Sequence, residues 1–237
     1  MTDRFNVSFI VPCYDDYSFL RECLSNLLSL EPRPQVVVSD ASRDRAPVRL
    51  LCNEFGVELV EFPEPSRGEQ LDAGAALAEG EILVFHHADT DFTQKHYDSL
   101  NDLFRKDSSV LGGAYLKDIV ALYPCIKLFA WIHKIFTMHI GTMYGDQSIF
   151  VLSSVFQELG GFRGMPFMED VSFSSRLREY GPVKVISPPL RSSNRKFLKE
   201  GHIKRKIKNV WLVFLFRIGV SPQRLNELYY PDRKTYN

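Results

Sequence analysis

No glycine follows the first apolar segment of this 237-residue chain: residues 11–16 read V-P-C-Y-D-D. That excludes a G-x-G-x-x-G dinucleotide turn and a G-x-x-x-x-G-K-[ST] phosphate loop at the place where either would stand. A diphosphate bound there would have no backbone cradle, and a cation held by a carboxylate could neutralise it instead. The four cysteines, Cys13, Cys23, Cys52 and Cys125, show neither C-x-x-C spacing nor a zinc pattern with histidine. They read as reduced core or near-core thiols of a cytosolic protein. The opening M-T-D-R-F-N-V has no apolar signal region. No run approaches the ~20 apolar residues that span a bilayer, so a cytoplasmic protein, soluble or peripheral to a membrane, is expected.

Net charge is also missing, with 29 basic and 29 acidic residues, and no nucleic-acid partner is expected. The balance is local, however. Residues 191–217 hold nine basic residues and one acidic, an excess that the rest of the chain offsets. Such asymmetry suggests that one segment faces an anionic partner.

The residues present describe an α/β protein. Hydrophobic residues make up 45% and charged residues 24%, which is enough for one large domain with a real core. The chain is organised around residues 81–91, E-I-L-V-F-H-H-A-D-T-D. Ile82, Leu83, Val84 and Phe85 are too few for a helix and too continuously apolar for a half-exposed strand. They predict a strand buried on both faces. It runs into His86, His87, Asp89 and Asp91 at its carboxyl end, where ligands bind in open α/β sheets. The alternative is a polar loop that only caps the next helix, which Thr93 could do alone.

Strands are predicted over 5–13, 35–40, 57–62 and 82–85, alternating with helices over 17–30, 46–55 and 67–78. This alternation implies βαβ units and a parallel sheet. Gly56 suits the end of the second helix. Leu71, Gly74, Ala75 and Ala78 give the third helix a small-residue face for close packing on the sheet. Beyond Asp91 the spacing predicts helices over 93–105, 124–138, 153–159 and 169–180. Strands are predicted over 109–117 and 146–152, with an extended segment over 183–193.

These segments together resemble a family 2 glycosyltransferase of the GT-A fold. Residues 7–16 match the opening strand and turn, and 36–44 (V-V-V-S-D-A-S-R-D) match the V-V-D-D-G-S-T-D segment. Residues 66–80 match the helix near the nucleotide, and His87-Ala88-Asp89 stands at the D-x-D. Residues 160–170 (G-G-F-R-G-M-P-F-M-E-D) match the G-G-F…E-D signature. R-G-E-Q-L-D-A-G-A, H-A-D-T, Gly145-Asp146-Gln147 and G-V-S-P-Q-R-L are similar to a short subgroup known as radical-SAM/selenodomain-associated transferase 2. The resemblance implies a mainly parallel central sheet flanked by helices, with a GT-A domain over 1–200 and a helical C-terminal extension over 201–237.

It also implies roles. Pro12 and Tyr14 would line the base pocket, and Asp40 would lie in the segment holding uracil or ribose. The usual D-D pair is Ser39-Asp40 here and its glycine is Ala41, but one carboxylate can still accept the imide N–H of uracil. Asp89 would touch a divalent metal. His87 replaces the first aspartate of D-x-D, which predicts Mn²⁺ over Mg²⁺, while His86 reads as a satisfied near-core histidine. Arg67 opens its helix beside the nucleotide and could pair with phosphate, or be a solvated surface residue. Asp170, with Glu169, would supply the general base that removes the acceptor's proton; first-turn charge complementarity would explain both equally simply. Asp146 and Gln147 would contact donor sugar or acceptor, or serve a turn. Arg195 and Lys196 would face the leaving diphosphate, or be a solvated loop.

The leading expectation is therefore an inverting transfer from a nucleotide-diphosphate sugar, a UDP-sugar, to an acceptor hydroxyl. The competing readings are a metal-dependent hydrolase or nucleotidyltransferase, and an inactive binding protein on a membrane surface. In 201–220, Ile203, Ile207, Val210, Trp211, Phe214 and Ile218 form one apolar stripe, while Lys204, Arg205, Lys206 and Lys208 crowd the first turns. Such a helix packs on the core or lies in an anionic membrane interface, where the acceptor could be lipid-linked.

Overall fold

A computed structural model of the chain describes residues 5–118, 142–191 and 202–229, with the backbone alone for 202–207. Cys125, the predicted 124–138 helix and the Arg195-Lys196 pair lie outside the described residues. The first half alternates: β1 (Val7–Cys13), α1 (Tyr17–Leu28), β2 (Gln35–Asp40), α2 (Ala46–Phe55), β3 (Glu58–Glu61), α3 (Arg67–Ala76), β4 (Ile82–Phe85), α4 (Gln94–Lys106). Then come β5 (Gly112–Lys117), a 3₁₀ turn (Gly145–Gln147), β6 (Ile149–Leu152), α5 (Ser153–Glu158), α6 (Glu169–Tyr180), β7 (Val183–Leu190), α7 (His202–Arg217) and α8 (Pro222–Tyr229).

The strands form one seven-stranded sheet in the order β3-β2-β1-β4-β6-β5-β7. β1, β2, β3 and β4 pair in parallel, as do β5 and β7, while β6 runs antiparallel to both of its neighbours. The expected mainly parallel sheet flanked by helices is present, with one reversed strand at its middle. Alternate residues of β1 and β4 enter opposite layers. Phe9, Val11, Ile82 and Val84 join the layer under α1, α2 and α4. Ile10, Leu83 and Phe85 join the layer under α3, α5 and α6. A continuous apolar run at strand length is thus buried on both faces, because helices cover both sides.

Several predicted boundaries shift by a few residues, three of them for a visible local reason. The strand expected from 109 begins at Gly112, because the Asp107 carboxylate accepts from the Ser109 N–H and hydroxyl and ties 107–109 into a turn. The strand expected from 146 begins at Ile149, because residues 145–147 form the 3₁₀ turn and Ser148 adopts φ 47°. The first helix ends at Leu28, where the Ser29 hydroxyl turns back onto the Asn26 carbonyl.

Two close approaches set α3 against the strands that carry the site. A Cβ on Gly74 would stand 2.5 Å from Ile10 Cγ2 and 2.6 Å from Ser39 Oγ, so only glycine lets the helix lie this near. Four residues earlier, buried Gln70 donates to the carbonyls of Cys13 (3.1 Å) and Ser39 (2.9 Å). It fastens the carboxyl ends of β1 and β2 together from above. At the other end of the chain, Leu212 of α7 and Leu225 of α8 are buried against Met168 and Val171, beside the start of α6. Among the described residues, no helix is long and apolar enough to cross a membrane.

Candidate functional site

The carboxyl ends of β1 and β4 and the amino ends of α3 and α6 converge on one small open pocket. Its walls include Pro12, Arg67, His87, Gly145, Glu169 and Asp170. Five of these were singled out from sequence as site residues, on segments up to 158 positions apart (12 to 170). The sheet topology, which sets β4 next to β1 and β6, gathers them.

α6 begins abruptly. Met168 stands at φ 61°, a left-handed conformation, and the next two residues diverge. Glu169 turns inward and is buried, and its Oε1 lies 2.9 Å from Arg67 Nε. Asp170 is half-buried at the pocket wall. Its Oδ2 accepts from the Gly145 N–H and its Oδ1 from the Val171 N–H, both at 2.7 Å. Burial raises the carboxyl pKa of both, against the opposing pull of the Arg67 cation. A carboxylate with raised proton affinity, held by two amides and facing a pocket, is equipped to take a proton.

Arg67 is partly exposed but turned to protein partners. Besides Glu169, its guanidinium touches His87 Nε2. Gly145 makes room for this arrangement, since a Cβ there would collide with the guanidinium and stand 3.0 Å from His87 Nε2.

His87 Nδ1 faces Asp89 Oδ1 at 3.9 Å. Two donors each about 2.1 Å from a small divalent ion span such a distance, so an imidazole and a carboxylate here fit a cation such as Mn²⁺. No group of three or more His, Cys, Asp or Glu able to hold a metal occurs among the described residues. The remaining ligands would have to come from phosphate oxygens and water, a common arrangement for ions of this class. Capping of α4 falls to Thr93 in a box with His96, so Asp89 is not needed as a cap. His86 is buried, contacts Ser148 Oγ at 2.8 Å through Nδ1, and has its pKa lowered to about 4 by burial. It is a satisfied core histidine.

Beside the pocket, the loops after β1 and β2 are tied to each other. Ser42 is its hub: its hydroxyl accepts from the Asp15 N–H (2.8 Å) and donates to Asp40 Oδ1 (2.6 Å), which also receives the Ser42 N–H. Asp15, at φ 53°, binds Arg43 through both carboxylate oxygens. Asp40 is fully buried, burial raises its pKa, and its Oδ2 has no partner. Tyr14 stands between Cys13 and Asp15 in the same loop, half-buried.

Two expected contacts are placed otherwise. Gln147 faces the interior, its carbonyl accepting from the Tyr144 N–H and its amide donating to the Tyr115 carbonyl, so it braces the 3₁₀ turn. Asp146 is paired with Lys117. A residue the motifs did not mark is Asp72 of α3, whose carboxylate receives the N–H groups of Phe162 (2.7 Å) and Gly164 (3.0 Å). Arg176 holds the same loop from the other side, donating to the carbonyls of Leu159 and Gly161 at 2.6 Å each. The glycine-rich loop that delivers Glu169 and Asp170 is thus clamped between α3 and α6.

The sequence profile of glycosyl transferase family 2 matches residues 8–147. No curated protein sequence matches the chain. Among solved structures, a mannosyltransferase from Pyrobaculum calidifontis in complex with GDP-mannose and Mn²⁺ superposes with a TM-score of 0.70. Identity is 20%, covering 97% of this chain and 70% of that one. Glucosyl-3-phosphoglycerate synthase from Mycobacterium tuberculosis, in complex with Mn²⁺, UDP and glucosyl-3-phosphoglycerate, gives a TM-score of 0.60 at 16% identity over 92% of this chain and 81% of that one. TarS from S. aureus in complex with UDP gives 0.63 at 15% identity over 98% and 73%. The seven-stranded sheet with its reversed strand is the GT-A fold, and the chain belongs to glycosyl transferase family 2.

Proposed function

We propose that this glycosyltransferase moves a sugar with inversion from a nucleotide-diphosphate donor, a UDP-sugar, to an acceptor hydroxyl. The observation that carries the reading is Asp170, a carboxylate of raised proton affinity at the wall of the pocket that also holds His87 and Arg67. Asp170 takes the acceptor's hydroxyl proton as that oxygen attacks the anomeric carbon. The bond from that carbon to the diphosphate oxygen breaks on the opposite face. The Gly145 and Val171 N–H groups keep the carboxylate aimed during transfer. Arg67 stands close enough to Asp170 to depress its pKa, and offers a guanidinium to the departing diphosphate. His87 and Asp89 would hold the divalent cation, which supplies positive charge to the same diphosphate. Imidazole among its ligands favours Mn²⁺ over Mg²⁺. The unpartnered Asp40 Oδ2 supports uridine, since a uracil imide N–H would satisfy it. Arg195 and Lys196 complete the diphosphate side in this reading, and Asp146 faces donor or acceptor once Lys117 yields it. The protein works in the cytoplasm and touches an anionic membrane peripherally, with a lipid-linked acceptor. Neither rival enzyme class gains support, because the family that matches is one of glycosyl transferases.

Incubation with a panel of sugar nucleotides and Mn²⁺ tests this by the product released. Uridine diphosphate from a UDP-sugar is expected, together with an inverted anomeric centre in the product. Release of a nucleoside monophosphate, or no turnover with any donor, would overturn it.

A further inference from the structure

The outward face of α7 is apolar. Val210, Trp211, Phe214 and Ile218 are 57%, 56%, 51% and 62% exposed, and the Trp211 and Phe214 rings stack at 5.5 Å. At 100° per residue these four fall within about 100° of arc. Leu212, on the other side of the helix, is 2% exposed against Met168 and Val171. The helix therefore has two apolar faces, one spent on the catalytic turn and one open to solvent.

The charge carried by the helix points to its occupant. α7 contains Lys204, Arg205, Lys206, Lys208 and Arg217 and no acidic residue. By helical register positions 204, 206 and 217 flank the open face, while Lys208 donates to the Tyr229 carbonyl and Arg217 to Thr142 Oγ1. A second copy on this face would bring like charge to like, with no carboxylate on either helix to offset it. An anionic surface meets these cations with opposite charge, while the rings and aliphatic groups enter its apolar layer. Sixteen residues rise about 24 Å, too short and too charged to span a bilayer, so the helix lies in the plane.

We propose that the Val210-Trp211-Phe214-Ile218 face of α7 seats directly in the interface of an anionic lipid bilayer. This deepens the reading of a membrane-contacting transferase and rests on it only for the choice of acceptor. Because the inner face of α7 packs on Met168 and Val171, seating would hold the pocket at a fixed height above the lipid. An acceptor hydroxyl carried on a lipid headgroup is then the substrate class that reaches Asp170.

The test needs no turnover. The chain has two tryptophans, so Trp131→Phe leaves Trp211 as the sole reporter. With vesicles of phosphatidylglycerol in phosphatidylcholine at low salt, Trp211 emission is expected to shift to the blue, to be quenched by brominated acyl chains, and to track co-sedimentation. Changing Lys204, Arg205, Lys206 and Lys208 to Gln should weaken binding by roughly tenfold or more. Trp211→Ser with Phe214→Ser should abolish it while leaving nucleoside diphosphate release in solution within about twofold, which separates failure of docking from failure of the transferase reading. Three results would overturn the proposal: no bromolipid quenching, equal binding to neutral and anionic vesicles, or Trp211 emission already blue-shifted without lipid. The last would show the face covered by another part of this chain or a second copy, and the mass in solution would say which.

Discussion

Arg67 Nε lies 2.9 Å from Glu169 Oε1, joining the first residue of one helix to the first residue of another across the pocket floor. The arginine side chain is 36% exposed and the glutamate 6%, so the carboxylate depends on its partner for charge compensation. Arg67→Gln should therefore destabilise the fold by up to ~3 kcal/mol, the lower end for removing one member of a buried pair, because water still reaches the arginine side. Pairing it with Glu169→Gln should restore most of that loss. Urea unfolding of the two single variants and the double variant checks this. A single variant as stable as the parent would show that the pair does not hold the site together.

Asp170→Asn removes the proposed proton acceptor while keeping the size of the side chain. Transfer should fall by about 10²–10⁴-fold, the usual contribution of a general base. Donor affinity, measured by calorimetry with a non-transferable nucleotide, should change little, since the proposed base pocket lies in the loops after β1 and β2. Unaltered turnover would move the base to Asp146 or Glu169.

Gly145→Ala is a small change with a defined target. Its methyl group collides with the Arg67 guanidinium and crowds His87 Nε2. The expected result is a fall in turnover and in Mn²⁺ affinity together, with the fold still cooperative. Mn²⁺ binding followed by its paramagnetic resonance reads the second effect without catalysis. A drop in turnover at unchanged Mn²⁺ affinity would place the damage at Arg67 alone.

Two buried histidines should make the protein sensitive to mild acid. His86 is pushed down from 6.5 to about 4 by burial, and His96 is lowered for the same reason. In that window the unfolded chain binds a proton that the folded chain refuses, so stability present above pH 6.5 is lost as pH falls towards 4. His86 alone should account for about 3 kcal/mol across the window. His86→Gln should flatten the slope, seen as a smaller shift in urea midpoint between pH 7 and pH 5. An unchanged slope would mean that His86 already carries its proton in the fold.

The parts legible in sequence were those written in short-range pattern. The bounds of β2, α2 and β4 follow from apolar runs closed by proline, glycine or polar residues, and the double burial of Ile82 to Phe85 follows from their unbroken apolarity. Small residues at Gly74 and Ala75 forecast the close approach of α3. What escaped was polar and long-range. Asp72 looks like a solvated helix position until the amides of Phe162 and Gly164 arrive from 90 and 92 positions away. Gln70 and Ser42 likewise acquire their roles only once β1 and β2 lie side by side. Gln147 sits in a motif that suggests substrate contact, yet the 3₁₀ turn spends both ends of its amide on backbone.

The reversed strand β6 has a consequence for how the protein reaches its native state. β3, β2, β1 and β4 are joined by successive local crossovers and can zip up as the chain emerges. Within the sheet, β5 and β7 join them through the four residues of β6, which pair with β4 on one side and β5 on the other. The strand is therefore a keystone laid late, joining segments made early to segments made last. Until it locks, the nucleotide-side loops can exist without the Asp170 turn. The amides of Ile149 to Leu152 should then exchange with solvent only when the whole sheet opens.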